Sequence, residues 1–272
     1  MEQKRPLRDA ALFSGSTLGL SYLVFWGPLA LAGVPAVSFV ADIRGPWWAT
    51  VLFFLGGFVP SGVAFVLTGI YEGRSGVRSL LRRSVQFDLG LRWYLTIVGI
   101  VVCGAIGQIA INYILGSPFS LSLFATQIPS LLPLLILGPL SEEYGWRGYL
   151  LVKLQKMWHP ITSSVGVGLV WGLWHLPLFF LVGTSQHELS IPYLPFVVGA
   201  VAVSIPMTWV NNNTRDSIWA AIFFHWLYTY VAQVTSTGVT RSVAYNWLEV
   251  LPYVVIAIIV VLIWKPKGGL HA

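Results

Sequence analysis

Eight runs of about twenty residues, nearly free of charge, decide most of what this chain can become. They fall at 11–33, 47–71, 93–115, 128–151, 161–182, 191–210, 217–236 and 246–264, each close to the ~20 residues that a helix needs to cross a bilayer. Gly, Pro, Asn and charged residues punctuate the gaps. Only 10% of the 272 residues are charged and 56% are hydrophobic, whereas soluble domains carry about 25% charge. Too few polar groups exist to coat a globule. The runs are helical in period and too long for barrel strands. The expected fold is all-α: a polytopic transmembrane helix bundle of about eight spans, one domain over residues 1–272, with no internal repeat or low-complexity tract.

The charges orient the bundle. With eight spans both termini share a side, and that side holds Lys4, Arg5, Arg8, Arg74, Arg78, Arg82, Arg83, Arg92, Lys153, Lys156, Arg215, Lys265 and Lys267. The other side holds Arg44 and Arg241. By the positive-inside rule both termini are cytoplasmic, as in a prokaryotic plasma-membrane protein. The net charge of +6 is thus loop charge, and nucleic-acid binding is not expected. Ala30-Leu31-Ala32 mimics a signal-peptidase site, but removing the first span would put the termini on opposite sides and spoil the asymmetry. The stretch from Glu72 to Trp93 reads as a basic amphipathic helix anchoring the adjoining spans at the surface. The 13 Trp and 11 Tyr suit interfacial belts. Cys103 stands alone, so no disulfide framework exists.

Against this background PLSEEYGWRGYLL, residues 139–151, is anomalous. Each charge costs about 2.5–3.5 kcal/mol at the bilayer centre, so Glu142, Glu143 and Arg147 together cost roughly 8–10. The aliphatic residues of that span return too little to insert it alone. It must sit among other helices with its charges turned inward, where ionisable groups mark function. Two more spans carry such groups: the fifth has His175, in WGLWHLPLF, and the seventh His225, in IFFHWLYTY. Glu143 and Arg147 are i,i+4 neighbours and can pair. Glu142 points about 100° away and is left as the free carboxylate. At 1.5 Å per residue, Glu142 lies roughly 10–14 Å from the cytoplasmic end of its span, His225 about 12 Å and His175 about 20 Å, so the three can meet among spans 4, 5 and 7. A carboxylate with two imidazoles can activate water and hold an oxyanion, or bind Zn²⁺ with one position open through Glu142, His175 and His225. The sequence leaves both mechanisms open. Singly, a span histidine is a packing residue and a Glu–Arg pair a clamp. No role is expected for His159, His187 or His271, and Asn112 reads as an interhelical hydrogen bond.

In this order, EEYGWRGYLL, WGLWHLPLF and NNNTRDSIWAAIFFHW resemble the CAAX prenyl endopeptidase and bacteriocin-processing (CPBP, or Abi) family of intramembrane proteases. That family's motifs are EExxxR, FxxxH and HxxxN or a relative. Here they read Glu142 to Arg147, Trp171 to His175 and His225 to Thr229, and the resemblance covers about residues 70–235. It implies that Glu142 and His175 activate the attacking water, that His225 helps hold the water or the oxyanion, and that Glu143 and Arg147 support the site. Trp171 stands where the family usually has Phe, and Thr229 where many members have Asn. A hydroxyl donates one hydrogen bond where an amide donates two. The expected activity is intramembrane cleavage of a peptide or prenylated protein at a CAAX-type tail. A non-proteolytic scaffold or self-immunity protein of the same family, or a proton-coupled transporter, are the alternatives. Zincin chemistry is not indicated, because His187-Glu188 is followed by Leu189-Ser190-Ile191 rather than by HExxH spacing.

Overall fold

The computed structural model describes residues 4–36, 45–116, 125–126, 128–236 and 242–264. Arg44, Arg241, Lys265, Lys267 and His271 lie outside the described residues. Within them every regular element is helical and no strand occurs. Helix α1 (Lys4–Leu20) runs through a π turn at Ser21–Phe25 into α2 (Trp26–Leu31). Helices α3 (Trp47–Ser84) and α4 (Leu91–Ile114) follow. A central helix then climbs without a break from a 3-10 turn at Ile128–Ser130 through α5 (Leu131–Leu135), a π turn at Ile136–Leu140, α6 (Ser141–Gly145), a second π turn at Trp146–Leu150 and α7 (Leu151–Leu154). Helices α8 (Pro160–Trp174), α9 (Ser185–Glu188), α10 (Tyr193–Asn213), α11 (Ile218–Ser236) and α12 (Val243–Ile263) complete the order.

Among the described residues, five of these rods are long and apolar enough to cross a membrane: Arg5–Leu31, Trp47–Ser84, Leu91–Ile114, Tyr193–Asn213 and Val243–Ile263. Leu23, Val66, Ile106 and Ile258 are exposed on their outer faces, as a hydrocarbon solvent permits. The central helix, α8 and α11 fall short of that standard. They are also the elements that carry Glu142, Glu143, Arg147, His175 and His225; Glu142, Glu143, Arg147 and His225 are buried, while Leu132, Ile136, Leu169 and Leu173 remain exposed.

Small residues set how closely these helices approach. A Cβ at Gly168 would lie 2.6 Å from Val201 Cα and 3.0 Å from the Ala200 carbonyl, and one at Gly172 3.2 Å from Val197. This pair, four residues apart, lets α8 lie against α10 in the small-xxx-small manner of membrane helices. Gly145 serves the central helix likewise: a Cβ there would meet the Pro60 carbonyl of α3 at 2.7 Å.

Two expected elements end differently. The fifth span, expected over 161–182, is α-helical only to Trp174 and then tightens into a 3-10 turn at Leu176–Phe179. Pro177 has no N–H for the Leu173 carbonyl four residues back, and that carbonyl accepts the Tyr22 hydroxyl from the first rod instead. The second span breaks at Gly73, whose positive φ of 66° glycine adopts without strain, and a further helical stretch runs on from this kink. Beyond it, Gly76, Leu80 and Ser84 are buried while Arg74, Arg78 and Arg82 are exposed, so the amphipathic surface helix is present but stops at Ser84.

Polar contacts gather several basic segments at one end of the bundle. Lys153 Nζ lies 2.7 Å from Glu72 and 3.7 Å from Asp9. Arg83 donates to the carbonyls of Arg147, Gly148 and Asp216. Arg215 pairs with Asp88 at 2.7 Å.

Candidate active site

The site is built on the segment Ser141–Gly145, one α turn held between two π turns. Pro139 lies inside the first π turn, and a proline there removes an intrahelical donor and widens the helix. The second π turn contains Arg147, and Arg83 reaches in from α3 to take its carbonyl and that of Gly148. The same guanidinium holds the Asp216 carbonyl just ahead of α11. One side chain thereby ties the backbone that carries Glu143 and Arg147 to the start of the helix that carries His225.

Glu143 and Arg147 are completely buried and form the expected i,i+4 pair. Arg147 Nη1 reaches Glu143 Oε1 at 2.8 Å and Oε2 at 3.1 Å, and Nη2 contacts Ser204 Oγ and Met207 Sδ at 3.2 Å each. His225 joins this pair, with its Nδ1 2.7 Å from Glu143 Oε1. A carboxylate shared by two partners keeps most of its lone pairs satisfied, as a charge out of water requires.

Glu142 lies on a different face, as the 100° offset predicted. Its Oε2 accepts two indole N–H bonds, from Trp146 at 3.0 Å and Trp171 at 2.7 Å. His175 ends α8 as its C-cap, and its Nδ1 is 2.9 Å from the Trp171 carbonyl. A carbonyl only accepts, so Nδ1 carries the proton and Nε2 keeps its lone pair. Glu142 and His175 border one cavity of about 80 Å³, walled by Trp26, Phe53, Phe58, Trp174 and Leu178. A water needs roughly 10–15 Å³ of such space, so the cavity has room for several. Its aromatic wall is braced too: Trp26 donates to the Phe53 carbonyl at 2.8 Å and Trp174 to Ser21 Oγ at 2.7 Å. Gly56 makes room, since a Cβ there would lie 2.2 Å from Trp26 Nε1.

The three spans expected to converge do so through Trp171. Its ring stands edge-on to His225 at 4.9 Å and to His175 at 5.9 Å, and Arg147 Cζ lies 5.4 Å from its centroid. Thr229 follows His225 by one helical turn and is half-buried. The site nevertheless divides into two groups: Glu142 and His175 at the cavity, and Glu143, Arg147 and His225 beside it. Among the described residues no three His, Cys, Asp or Glu side chains are grouped to hold a metal ion. As placed, Glu142, His175 and His225 do not fit the Zn²⁺ ligand set.

Trp146, Ser204 and Arg83 were not anticipated. Trp146 was within reach, since it follows Glu142 by one turn inside the same motif. Ser204 and Arg83 sit 57 and 64 residues from Arg147 and leave no local signature. Asn112 does bond between helices, donating to the Thr235 carbonyl at 2.6 Å. His159 and His187 have local partners, the Ile161 N–H at the start of α8 and Glu188.

Comparison with known proteins points the same way. Residues 124–231, which contain all three motifs, match the family described as Type II CAAX prenyl endopeptidase Rce1-like. A curated relative, CAAX prenyl protease 2 of Methanococcus maripaludis, is 39% identical over 108 residues, which make up 38% of this chain and 40% of the relative. The match thus spans well under half the length of either protein. Over those residues the resemblance read from the motifs is borne out.

Proposed function

We propose that this chain is an intramembrane endopeptidase of the CAAX prenyl protease type, acting on a peptide or prenylated protein tail presented from the lipid bilayer. The observation that carries the reading is the shared cavity of Glu142 and His175, where two proton acceptors border the same space, large enough for water. Glu142, held on Oε2, takes a proton from water through Oε1. The water oxygen adds to the scissile carbonyl carbon. The proton passes, directly or by way of His175 Nε2, to the amide nitrogen as the C–N bond breaks.

The oxyanion falls to the second group. His225 meets Glu143 through Nδ1, so its Nε2 donates only when the ring is doubly protonated. Thr229, one turn on, supplies a hydroxyl donor. The basic segments gathered at one end of the bundle support cytoplasmic termini and cleavage on the cytoplasmic side of a prokaryotic plasma membrane.

The test uses the purified full-length protein in detergent with quenched fluorescent peptides, prenylated CAAX tails among them. Wild type cleaves, and Glu142→Gln, folded to the same thermal midpoint, is slower by at least about 10³-fold, as expected when the group that activates the nucleophile is lost. Equal rates for the two proteins would remove Glu142 from the chemistry.

A further inference from the structure

We propose that Trp171 is a positioning residue: its indole N–H, together with that of Trp146, holds Glu142 by one oxygen so that the other faces the reacting water. The inference rests on the reading of Glu142 as base and adds to it how that base is aimed.

A carboxylate accepts on two oxygens, with about four lone-pair sites, and its terminal torsion is broad and roughly two-fold. Left alone, the Glu142 group exchanges its oxygens. Here two donors from two different helices end on the same atom: Trp146 reaches Oε2 from the central helix at 3.0 Å and Trp171 reaches it from α8 at 2.7 Å. The other side of the carboxylate is open. A Cβ on Gly138, one turn earlier, would be 3.9 Å from Oε1, and the glycine leaves that space empty. An indole N–H donates and never accepts, so neither tryptophan competes with Oε1 for the water's proton.

Position singles out Trp171 of the two. Its N–H serves Glu142 while its ring meets His225 at 4.9 Å and lies beneath Arg147. The side chain stands between the cavity carboxylate and the buried Glu143–Arg147–His225 group. It fixes the first and forms a wall of the second. Trp171→Phe keeps an aromatic ring at this place, with less volume, and removes the N–H donor.

The experiment is Trp171→Phe in the full-length protein, assayed with a peptide whose cleavage Glu142→Gln abolishes. We expect kcat to fall roughly 10- to 100-fold, the range for one hydrogen bond to a charged group. KM should stay within about twofold and the thermal midpoint within a few degrees. Wild-type kcat in Trp171→Phe would overturn the inference and leave the protease reading standing. Protein with ¹⁵N-labelled indoles supplies a readout independent of turnover. The N–H resonances missing from Trp146→Phe and from Trp171→Phe should be the two that move most in Glu142→Gln. A Trp171 resonance indifferent to that change overturns the inference. If wild type cleaves no peptide, the protease reading fails, and the indole resonances alone decide whether Trp171 holds Glu142.

Discussion

Arg147 and Glu143 owe their burial to each other, and each is the other's main source of compensation. Removing one partner of a buried pair leaves an uncompensated charge, at a cost of about 3–5 kcal/mol. Arg147→Ala should therefore lower the thermal unfolding midpoint sharply. Arg147→Lys should recover only part of the loss, since an ammonium cannot span both Glu143 oxygens and still meet Ser204. A wild-type midpoint in Arg147→Ala would show the pair to be dispensable. Thr229 makes a prediction about rate instead. If its hydroxyl helps hold the oxyanion, Thr229→Val lowers kcat by roughly 10²-fold, and Thr229→Asn, with two amide donors, matches or exceeds wild type. Pre-steady-state cleavage rates separate these cases from changes in binding. The Glu143–Arg147 pair was legible in the sequence because i,i+4 spacing is local geometry. That His225 would settle on Glu143 rather than Glu142 was not, because the choice depends on how α11 is rotated.

At the level of elements, close approach is the governing quantity. Gly168 faces backbone, not a flexible side chain, so neither helix can yield when a methyl group is inserted. Gly168→Ala should destabilise by about 1–3 kcal/mol through overpacking and reduce activity with it, because α8 carries both Trp171 and His175. At Gly62 of α3 an added methyl group would meet nothing within 4 Å. Gly62→Ala is the control, expected to stabilise by up to about 1 kcal/mol from helix propensity. Chemical unfolding of both variants checks the contrast. If Gly168→Ala matches Gly62→Ala, the α8–α10 contact is looser than described. The early end of α8 teaches a related lesson. Pro177 announced a distortion in the sequence, but not which group would take the freed Leu173 carbonyl. That partner, Tyr22, comes from a helix 151 residues away.

For the whole molecule, the orientation read from charge is open to direct test. In a Cys103→Ala background, Arg82→Cys should react with an impermeant maleimide in inverted vesicles and not in intact cells, and His187→Cys should show the reverse. The opposite pattern would turn the bundle over and move the site to the other face. Length and hydropathy period determined by themselves that this is an all-helical membrane protein, roughly where its helices run, and which three carry Glu142, Glu143, Arg147, His175 and His225. They suffice because a bilayer demands satisfied backbone and apolar length, both properties of contiguous residues. Only the tertiary structure decided that the ionisable residues split into a cavity group and a buried support group, and that two tryptophans hold the free glutamate by one oxygen. Those facts depend on the rotation and closeness of helices distant in sequence, quantities set by glycine contacts and side-chain packing that no local pattern encodes.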